Sequence, residues 1–94
     1  MHIVKSLQDY LSVLNRFRRI VVIGENCVDC HVFLKRYSRC LEGFEIVLLP
    51  VNIDDDLLDF FFSIGILGIP IVVIDGKHFW GDINHLGEVV CSSQ

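Results

Sequence analysis

Hydrophobic and polar positions along this chain follow two different periods, and the changes between them mark the predicted elements. Three stretches repeat apolar residues at the three-and-four spacing of an amphipathic helix, namely 7–18, 30–41 and 57–64. Three apolar stretches rich in β-branched residues predict strands: 20–23, 44–51 and 71–74. The run 20–23 is continuous, which is typical of a strand buried on both faces of a sheet. Helices and strands therefore alternate through most of the chain, which favours an α/β fold.

Capping and turn residues predict where these elements begin and end. Ser6, with Asp9 three positions later, is typical of a helix N-cap, and Asn26 is the expected N-cap of the second helix. Gly43 follows the expected end of that helix. Asp75-Gly76 is a strong hairpin signal, which predicts that the chain returns as an antiparallel partner strand.

The two ends of the chain add an edge strand and a final helix to this order. Residues 2–4 are a short apolar start, and 83–90 predict a last helix after which 91–94 are expected to fray. Strand–helix–strand units pair in parallel, whereas the hairpin adds an antiparallel pair. We therefore expect one domain, 1–94, with a mixed sheet of four or five strands and helices on both faces. Residues 1–19 are expected to form a helical extension ahead of its core.

Composition narrows the classes of function that this fold can serve. Of 94 residues, 52% are hydrophobic and 21% are charged, and the net charge of −4 disfavours a nucleic-acid partner. Most arginines and lysines fall late in two predicted helices, where they complement the helix dipole. The uncharged run 60–74 is shorter than the roughly 20 residues of a membrane-spanning helix and contains Pro70. We expect a monomer with neither a nucleic-acid nor a membrane partner.

The cysteines and the N-terminal sequence bear on the compartment. No apolar signal segment with a small-residue cleavage site opens the chain, so we expect a cytoplasmic protein rather than a disulfide-stapled secreted one. In that reducing environment Cys40 is expected to pack near the end of the second helix. Cys91 is expected to be exposed, and able to form an intermolecular disulfide or to be glutathionylated.

The candidate chemistry is concentrated in Cys27-Val28-Asp29-Cys30, which follows an expected buried strand. A cysteine at a helix start is held as its thiolate by free backbone N–H groups and the helix dipole. Cys27 is therefore the expected nucleophile. Cys30, one turn later on the apolar face, is the expected resolving thiol of a two-step thiol–disulfide exchange. Glu25 and Asp29 oppose the thiolate, so we expect only a moderately lowered pKa for Cys27.

Other uses of the same cysteines stay open at this point. Cys27-x-x-Cys30-His31 also fits the attachment motif of c-type haem, although the only methionine is Met1 and the chain has no distal methionine ligand to offer. A metal or iron–sulfur site could use both thiols, but Cys40 and Cys91 do not form the second close pair that structural zinc sites commonly have. The two cysteines could also be inert in a redox-inactive interaction domain.

An X-Pro bond gives an independent indication of the same site. Ile69-Pro70 lies directly before the predicted strand 71–74, a position where the peptide bond can be cis. Proline donates no N–H there, whereas Ile69 keeps a free backbone edge. An extended substrate can pair with that edge next to the thiols through β-type hydrogen bonds.

These motifs together resemble the thioredoxin superfamily. They are similar to the glutaredoxins and to the glutaredoxin-like redoxins that serve ribonucleotide reductase, at Cys27-x-x-Cys30, Ile69-Pro70, Asp75-Gly76-Lys77-His78 and Gly81-Asp82. The resemblance implies a thioredoxin-like three-layer fold and a thiol–disulfide oxidoreductase with a redox-active Cys27–Cys30 disulfide. It also implies that Ile69, Pro70, Gly81 and Asp82 bind the substrate. Gly81 and Asp82 match the region where glutaredoxins hold the C-terminal end of glutathione.

The resemblance further implies which partners to expect. A protein disulfide would be the substrate, glutathione or a reductase protein would supply electrons, and no cofactor would be tightly bound. The chain could in turn act as electron donor to a reductase. Glu25-Asn26 stands where glutaredoxins usually carry a lysine, and Val28-Asp29 replaces their Pro-Tyr pair. Each change removes a glutathione contact or adds negative charge, which favours a protein partner.

Overall fold

A computed structural model describes residues 1–94. The chain forms nine elements in this order: β1 His2–Ile3, α1 Leu7–Arg16, β2 Arg19–Gly24, α2 Val28–Arg36, β3 Glu45–Leu49, α3 Asp55–Ser63, β4 Ile71–Ile74, β5 Lys77–Trp80 and α4 Ile83–Ser92. Every element expected from the periodicity is present, with boundaries shifted by a few residues. None of the four helices is long and apolar enough to cross a membrane.

The five strands form one mixed sheet with the order β1-β3-β2-β4-β5. The central strand β2 runs parallel to β3 and antiparallel to β4, so that Val22 lies between Val47 and Ile71. β1 extends the parallel part at one edge, and β5 forms the other edge as the second strand of the β4–β5 hairpin. The predicted mixed sheet is therefore confirmed, and it has five strands.

Alternate residues of β2 face two separate hydrophobic layers. Val22 belongs to the layer under α1 and α3, which also contains Tyr10. Val21 belongs to the layer under α2 and α4, which also contains Phe33. Burying one such side chain completely stabilises the fold by about 1.5–3 kcal/mol, so the sheet is held from both faces. Residues 1–19, expected as an extension, supply β1 to the sheet and α1 to the first layer.

The predicted start of the first helix and the predicted hairpin turn are confirmed. Ser6 Oγ accepts a hydrogen bond from the Asp9 backbone N–H at 3.1 Å, which satisfies one of the free donors at the start of α1. Asp75 and Gly76 have φ values of 51° and 81°. Two consecutive left-handed residues are what a type I′ hairpin turn requires.

The second helix differs from its prediction at both ends. Its N-cap is Cys27, and the expected N-cap, Asn26, instead takes a φ of 55°. An N-cap residue normally has extended backbone, which Asn26 does not have. The helix ends at Arg36, and turns continue the chain over 37–43. The helical spacing reaches Leu41 because these turns still bury Leu41 in the layer under α2 and α4.

The C-terminal end is tied to the body of the protein by a disulfide that the sequence did not predict. Cys40 and Cys91 are bonded to each other, with Cα atoms 4.8 Å apart. Cys91 is exposed, as expected, but its sulfur is bonded within the chain and is not available for an intermolecular disulfide or for glutathionylation. The expected fraying of 91–94 is wrong, because α4 continues to Ser92 and the Gln94 side-chain amide donates to the Cys40 carbonyl oxygen at 2.7 Å.

One polar pair joins α1 to β5 at the edge of an apolar layer. Tyr10 is fully buried, and its hydroxyl lies 2.9 Å from His78 Nε2, while His78 Nδ1 lies 3.2 Å from the Gly76 carbonyl oxygen. We assign the tautomer in which Nδ1–H donates to Gly76 and Nε2 accepts from Tyr10, since it satisfies all three groups. Burial raises the pKa of Tyr10 and lowers the pKa of His78, the latter against the opposing hydrogen bond to Gly76.

The Cys40–Cys91 disulfide should stabilise the fold by restricting the unfolded chain. Its sequence separation is 51, and closing a loop of that length is worth about 4 kcal/mol in the loop-entropy description. We expect Cys40→Ser/Cys91→Ser to lower the free energy of unfolding by roughly that amount. Urea unfolding without reductant measures the change.

The matched control for this measurement is Cys27→Ser/Cys30→Ser. It also removes one disulfide, but the separation of its cysteines is only 3, so the unfolded chain gains much less freedom. An equal loss of stability in both double variants would contradict the loop-entropy account.

The neutral His78 should make stability depend on pH. Because burial lowers its folded-state pKa below the ordinary value of 6.5, the unfolded chain binds more protons at mildly acidic pH. We expect the contribution of His78 to stability to be complete above pH 6.5. It should decline as the pH falls from 6.5 towards the lowered pKa of the folded protein. The slope should stay below about 1.4 kcal/mol per pH unit, the value for one proton. Urea unfolding over this range measures it.

A pair of histidine variants isolates this contribution. His78→Gln removes the titrating ring and should flatten the slope, whereas His85→Gln, at an exposed position of α4, should leave the slope as it is. If His78→Gln keeps the wild-type slope, another group is responsible.

Candidate active site

The central strand ends just before the Cys27–Cys30 segment. Gly24 of β2 is the register partner of Leu49, and the Glu25 N–H still donates to the Leu49 carbonyl oxygen at 3.3 Å. Asn26 then takes its left-handed conformation and redirects the chain, so that Cys27 becomes the N-cap of α2. Cys27 thereby lies at the carboxyl end of the parallel strands, where open α/β sheets commonly bind ligands.

Cys27 and Cys30 form a disulfide whose two sulfur atoms have different surroundings. Their Cα atoms are 5.2 Å apart. Cys27 is half-buried, and its Sγ accepts a hydrogen bond from the Cys30 backbone N–H at 3.1 Å. Cys30 is only 2% exposed. An accessible sulfur with a backbone donor suits a nucleophile, and a protected sulfur one turn later suits a resolving thiol.

The Ile69-Pro70 peptide is cis and lies beside the end of β2. A Cβ built on Gly24 would overlap the Ile69 Cδ1 atom, so the Ile69 side chain occupies space that only a glycine at position 24 leaves free. The backbone N–H and C=O of Ile69 have no hydrogen-bond partner within the chain. The expected free backbone edge is therefore present, within reach of the segment that carries the cysteines.

Gly81 and Asp82 follow β5 at the same end of the sheet. Trp80 is the register partner of Ile71, so the two residues lie beside the strand that begins after the cis peptide. Gly81 has a φ of 119°, and Asp82 caps α4 by accepting from the Asn84 N–H at 3.1 Å. The Asp82 carboxylate thus has a structural task, and its part in substrate binding stays a prediction.

The arrangement of these strands and helices matches that of solved proteins. A Plasmodium falciparum thioredoxin aligns over 100% of both chains, with 16% identity and a TM-score of 0.60. A Fasciola hepatica thioredoxin also aligns over 100% of both chains, with 17% identity and a TM-score of 0.64. Oxidized mitochondrial thioredoxin 3 from Saccharomyces cerevisiae covers 98% of this chain and 94% of its own, with 14% identity and a TM-score of 0.64. This chain has the thioredoxin fold.

Sequence relatives add nothing to that result, since no protein-family model matches the chain and no curated protein matches it significantly. At 14–17% identity the likeness shows the fold alone. The expected thioredoxin-like three-layer fold is confirmed, and membership of the thioredoxin superfamily stays a prediction. The nearer likeness to glutaredoxin-like redoxins, and the roles of Cys27, Cys30, Ile69, Pro70, Gly81 and Asp82, stay predictions.

This thioredoxin fold contains an apolar groove that the sequence did not predict. It has a volume of about 380 Å³, and 10 of its 14 lining residues are hydrophobic. Glu25 and Ile69 line it near the cysteine-bearing turn, while Leu58 and Phe62 line it from α3. The run Phe60-Phe61-Phe62 was the available signal, because three consecutive apolar positions exceed the stripe that one face of a helix can bury.

The four cysteines do not meet at one point in the thioredoxin fold. Cys27 and Cys30 lie at the start of α2, whereas Cys40 and Cys91 are bonded beyond its end. The two pairs lie at opposite ends of α2, a helix of 9 residues that is about 13 Å long. No group of three or more His, Cys, Asp or Glu side chains is placed to hold a metal ion. A zinc site built from all four thiols of one chain is therefore not assembled in this structure.

The close approach of Ile69 to Gly24 should make this glycine hard to replace. The Cβ of Gly24→Ala overlaps the Ile69 Cδ1 atom, so the Ile69 side chain must leave its present position. We expect the free energy of unfolding to fall by about 1–3 kcal/mol, as for other overpacked sites. Urea unfolding measures it. Gly68→Ala is the matched control, because its Cβ would lie 3.7 Å from Trp80 in ordinary contact. Equal stability of the two variants would contradict this account.

Proposed function

We propose that this protein is a thiol–disulfide oxidoreductase that reduces protein disulfides through Cys27 and Cys30. The observation that carries the proposal is the difference between the two sulfurs. Cys27 is accessible and receives a backbone hydrogen bond at the start of α2, while Cys30 is buried one turn away. A two-step exchange needs one accessible sulfur that attacks the substrate and one protected sulfur that releases it.

The first step is attack by the Cys27 thiolate on a substrate disulfide. A bond forms between Cys27 Sγ and one substrate sulfur, the substrate S–S bond breaks, and the other sulfur leaves as a thiolate that takes up a proton. The Cys30 N–H that donates to Cys27 Sγ stabilises the attacking anion, as do the helix dipole and the free N–H groups of the first turn. The product is a mixed disulfide at Cys27.

The second step releases the substrate. Cys30 loses its proton to water or to the departed thiolate and attacks Cys27 Sγ, and the bond from Cys27 to the substrate breaks. The substrate sulfur leaves as a thiolate, so two electrons have passed from the dithiol to the substrate. Burial shields Cys30 from other disulfides until the mixed disulfide forms beside it. The chain ends this half-cycle with Cys27 and Cys30 joined, the state that the structure contains.

The free backbone of Ile69 supports a place for the substrate. An extended chain can accept from its N–H and donate to its C=O as an added β-strand would, beside the end of β2 that leads into Cys27. Pro70 follows without an N–H of its own, which ends the pairing there. Gly81 and Asp82, which follow the strand paired with β4, are proposed to contact the substrate chain beyond its cysteine.

The charges around the cysteines favour a protein as electron donor over glutathione. Glu25 and Asp29 flank Cys27, and no lysine or arginine occurs between positions 20 and 34. Glutathione carries two carboxylates, which this site leaves without a cationic partner. We propose a reductase protein as the donor and a disulfide protein, such as an enzyme of reductive metabolism, as the acceptor. No tightly bound cofactor takes part in either step.

A cytoplasmic location stays a prediction. In that compartment the Cys40–Cys91 bond would have to resist reduction, because thiols are kept largely reduced there. Alkylation of unbroken cells, followed by mass analysis of Cys40 and Cys91, would show directly whether this bond exists where the protein works.

The proposal is tested by dithiothreitol-driven insulin reduction. We expect turnover by the wild type and a fall to the rate of dithiothreitol alone in Cys27→Ser, because the nucleophile is lost. Reduced Cys30→Ser, mixed with insulin after removal of dithiothreitol, should keep the first step and accumulate a mixed disulfide at Cys27, visible on a non-reducing gel. Exchanging dithiothreitol for thioredoxin reductase, or for glutathione with its reductase, identifies the electron donor.

Cys40→Ser/Cys91→Ser is the control, since it removes a disulfide remote from this site and should retain turnover under conditions where it is folded. Turnover by Cys27→Ser at the wild-type rate would refute the mechanism. Reduced Cys27 that alkylates no faster than an ordinary thiol near neutral pH would indicate a redox-inactive interaction domain instead.

A further inference from the structure

The apolar groove beside the cysteines is lined by unusually exposed side chains. Val51 is 82% exposed, Leu67 is 71% exposed and Phe62 is 53% exposed, and all three line it. Apolar side chains gathered at one exposed place mark binding surfaces, whereas scattered ones do not. Its volume of about 380 Å³ is at the small end of ligand cavities. It therefore suits one or two side chains of a partner.

Carboxylates lie in this groove and on the helix face that lines it. Glu25 is itself a lining residue. On α3, Asp55, Leu58, Asp59 and Phe62 are spaced by three and four positions, so they share one exposed face of the helix. The same helix face thus presents two apolar side chains to the groove and two carboxylates beside them.

These carboxylates are not neutralised by the protein. The ion pairs of the chain involve only Glu45, with the N-terminus and His2, and Asp75, with Arg18. Glu25, Asp55 and Asp59 have none. One basic residue, Lys5, is joined to the start of α3 by a backbone hydrogen bond. Its carbonyl oxygen accepts the Asp54 N–H at 2.7 Å.

Most of the positive charge lies at the opposite end of the sheet, where β2 begins. Arginines and lysines occur near the end of α1, at the start of β2, after α2 and at the hairpin: Arg16, Arg18, Arg19, Arg39 and Lys77. Lys35 and Arg36 occupy the last turn of α2, and Arg36 donates to Asn84 at 2.9 Å on the α4 side, away from the groove. The groove and the cysteines therefore lie at the end of the protein where negative charge predominates.

We propose that this groove docks a basic segment of the substrate protein, in which a large apolar side chain lies close to the reactive cysteine and is flanked by lysine or arginine. The inference rests on the proposed function, since the substrate cysteine must meet Cys27. The apolar side chain enters between Phe62 and Ile69, and the flanking cations face Glu25 and the carboxylates of α3. The groove then selects the substrate, and the C-x-x-C performs the chemistry.

The position of the groove limits where the apolar residue lies. Glu25 lines the groove and is two positions before Cys27, and Ile69 lines it while offering its backbone for pairing. A substrate strand paired with Ile69 advances by about 3.3 Å per residue and places alternate side chains on the same side. The apolar side chain is therefore two residues, or a small even number, from the substrate cysteine.

Charge complementarity distinguishes this occupant from a second copy of the chain. In a two-fold contact through the groove, Glu25, Asp55 and Asp59 of one copy would face the same carboxylates of the other. Like charges brought together in this way disfavour association. A basic segment meets the same carboxylates with opposite charge.

The test compares three synthetic peptide disulfides of equal length. One has leucine two positions from the cysteine with lysines flanking it, the second has glutamates in place of the lysines, and the third has serine in place of the leucine. We expect wild-type kcat/KM to be about tenfold higher for the first than for the second. Raising the ionic strength from about 0.01 M to about 1 M shortens the Debye length from roughly 30 to 3 Å and should remove most of that ratio.

Variants assign the preference to the groove. Asp55→Asn/Asp59→Asn should reduce the lysine-to-glutamate ratio several-fold, and Phe62→Ser should reduce the leucine-to-serine ratio. Glu42→Gln/Glu88→Gln is the matched control, since it removes the same charge at exposed positions outside the groove and should keep both ratios. Because ratios are compared within each variant, a general loss of stability does not imitate the effect.

The outcomes separate this inference from the function on which it rests. Equal kcat/KM for the three peptides, with turnover of hydroxyethyl disulfide intact, would overturn the docking proposal and leave the oxidoreductase standing. Loss of all disulfide reduction would overturn both. A dimer in sedimentation that Phe62→Ser dissociates would show that a second copy covers the groove, and would likewise overturn the proposal.

Discussion

The register of β2 against its two neighbours sets the geometry of the redox centre. Pairing with β3 fixes where the central strand stops, and pairing with β4 fixes how the loop before that strand approaches it. Ile69 can lie against position 24 only because that residue is glycine. A shift of one residue in either pairing would reverse the faces of the strand and move both apolar layers. The cysteine turn is thus positioned by the most buried part of the sheet.

The thiol site combines a favourable and an unfavourable electrostatic environment. The start of α2 stabilises negative charge at Cys27, and the N–H of Cys30 points at its sulfur. Glu25 and Asp29 act in the opposite sense, yet both are exposed, so water weakens their effect. The backbone donor acts at hydrogen-bond distance and the carboxylates act through solvent. The helix start therefore dominates, and the carboxylates are left to act on molecules that approach the site.

Local signals in the sequence predicted most of this fold, whereas contacts between residues far apart in the sequence were missed. Ser6 and Asp75-Gly76 act on their immediate neighbours, so their caps and turns could be read directly. The Cys40–Cys91 bond joins residues 51 positions apart, and nothing in the spacing indicates that the end of α4 returns to the turns after α2. The groove was missed for a related reason, because a loop residue such as Leu67 lines it only once the chain has folded around α3.

The Cys40–Cys91 disulfide gives the two parts of the chain that it joins a second covalent link besides the backbone. Cys40 and Cys91 enclose more than half of the chain, including the exposed loop at Val51 and Asn52 between β3 and α3. A protease that cuts once inside this ring opens it without releasing a fragment, because the two pieces stay covalently joined. Reducing the Cys27–Cys30 bond does not change this. The protein can thus carry a nick beside its own groove and still travel as one covalent molecule.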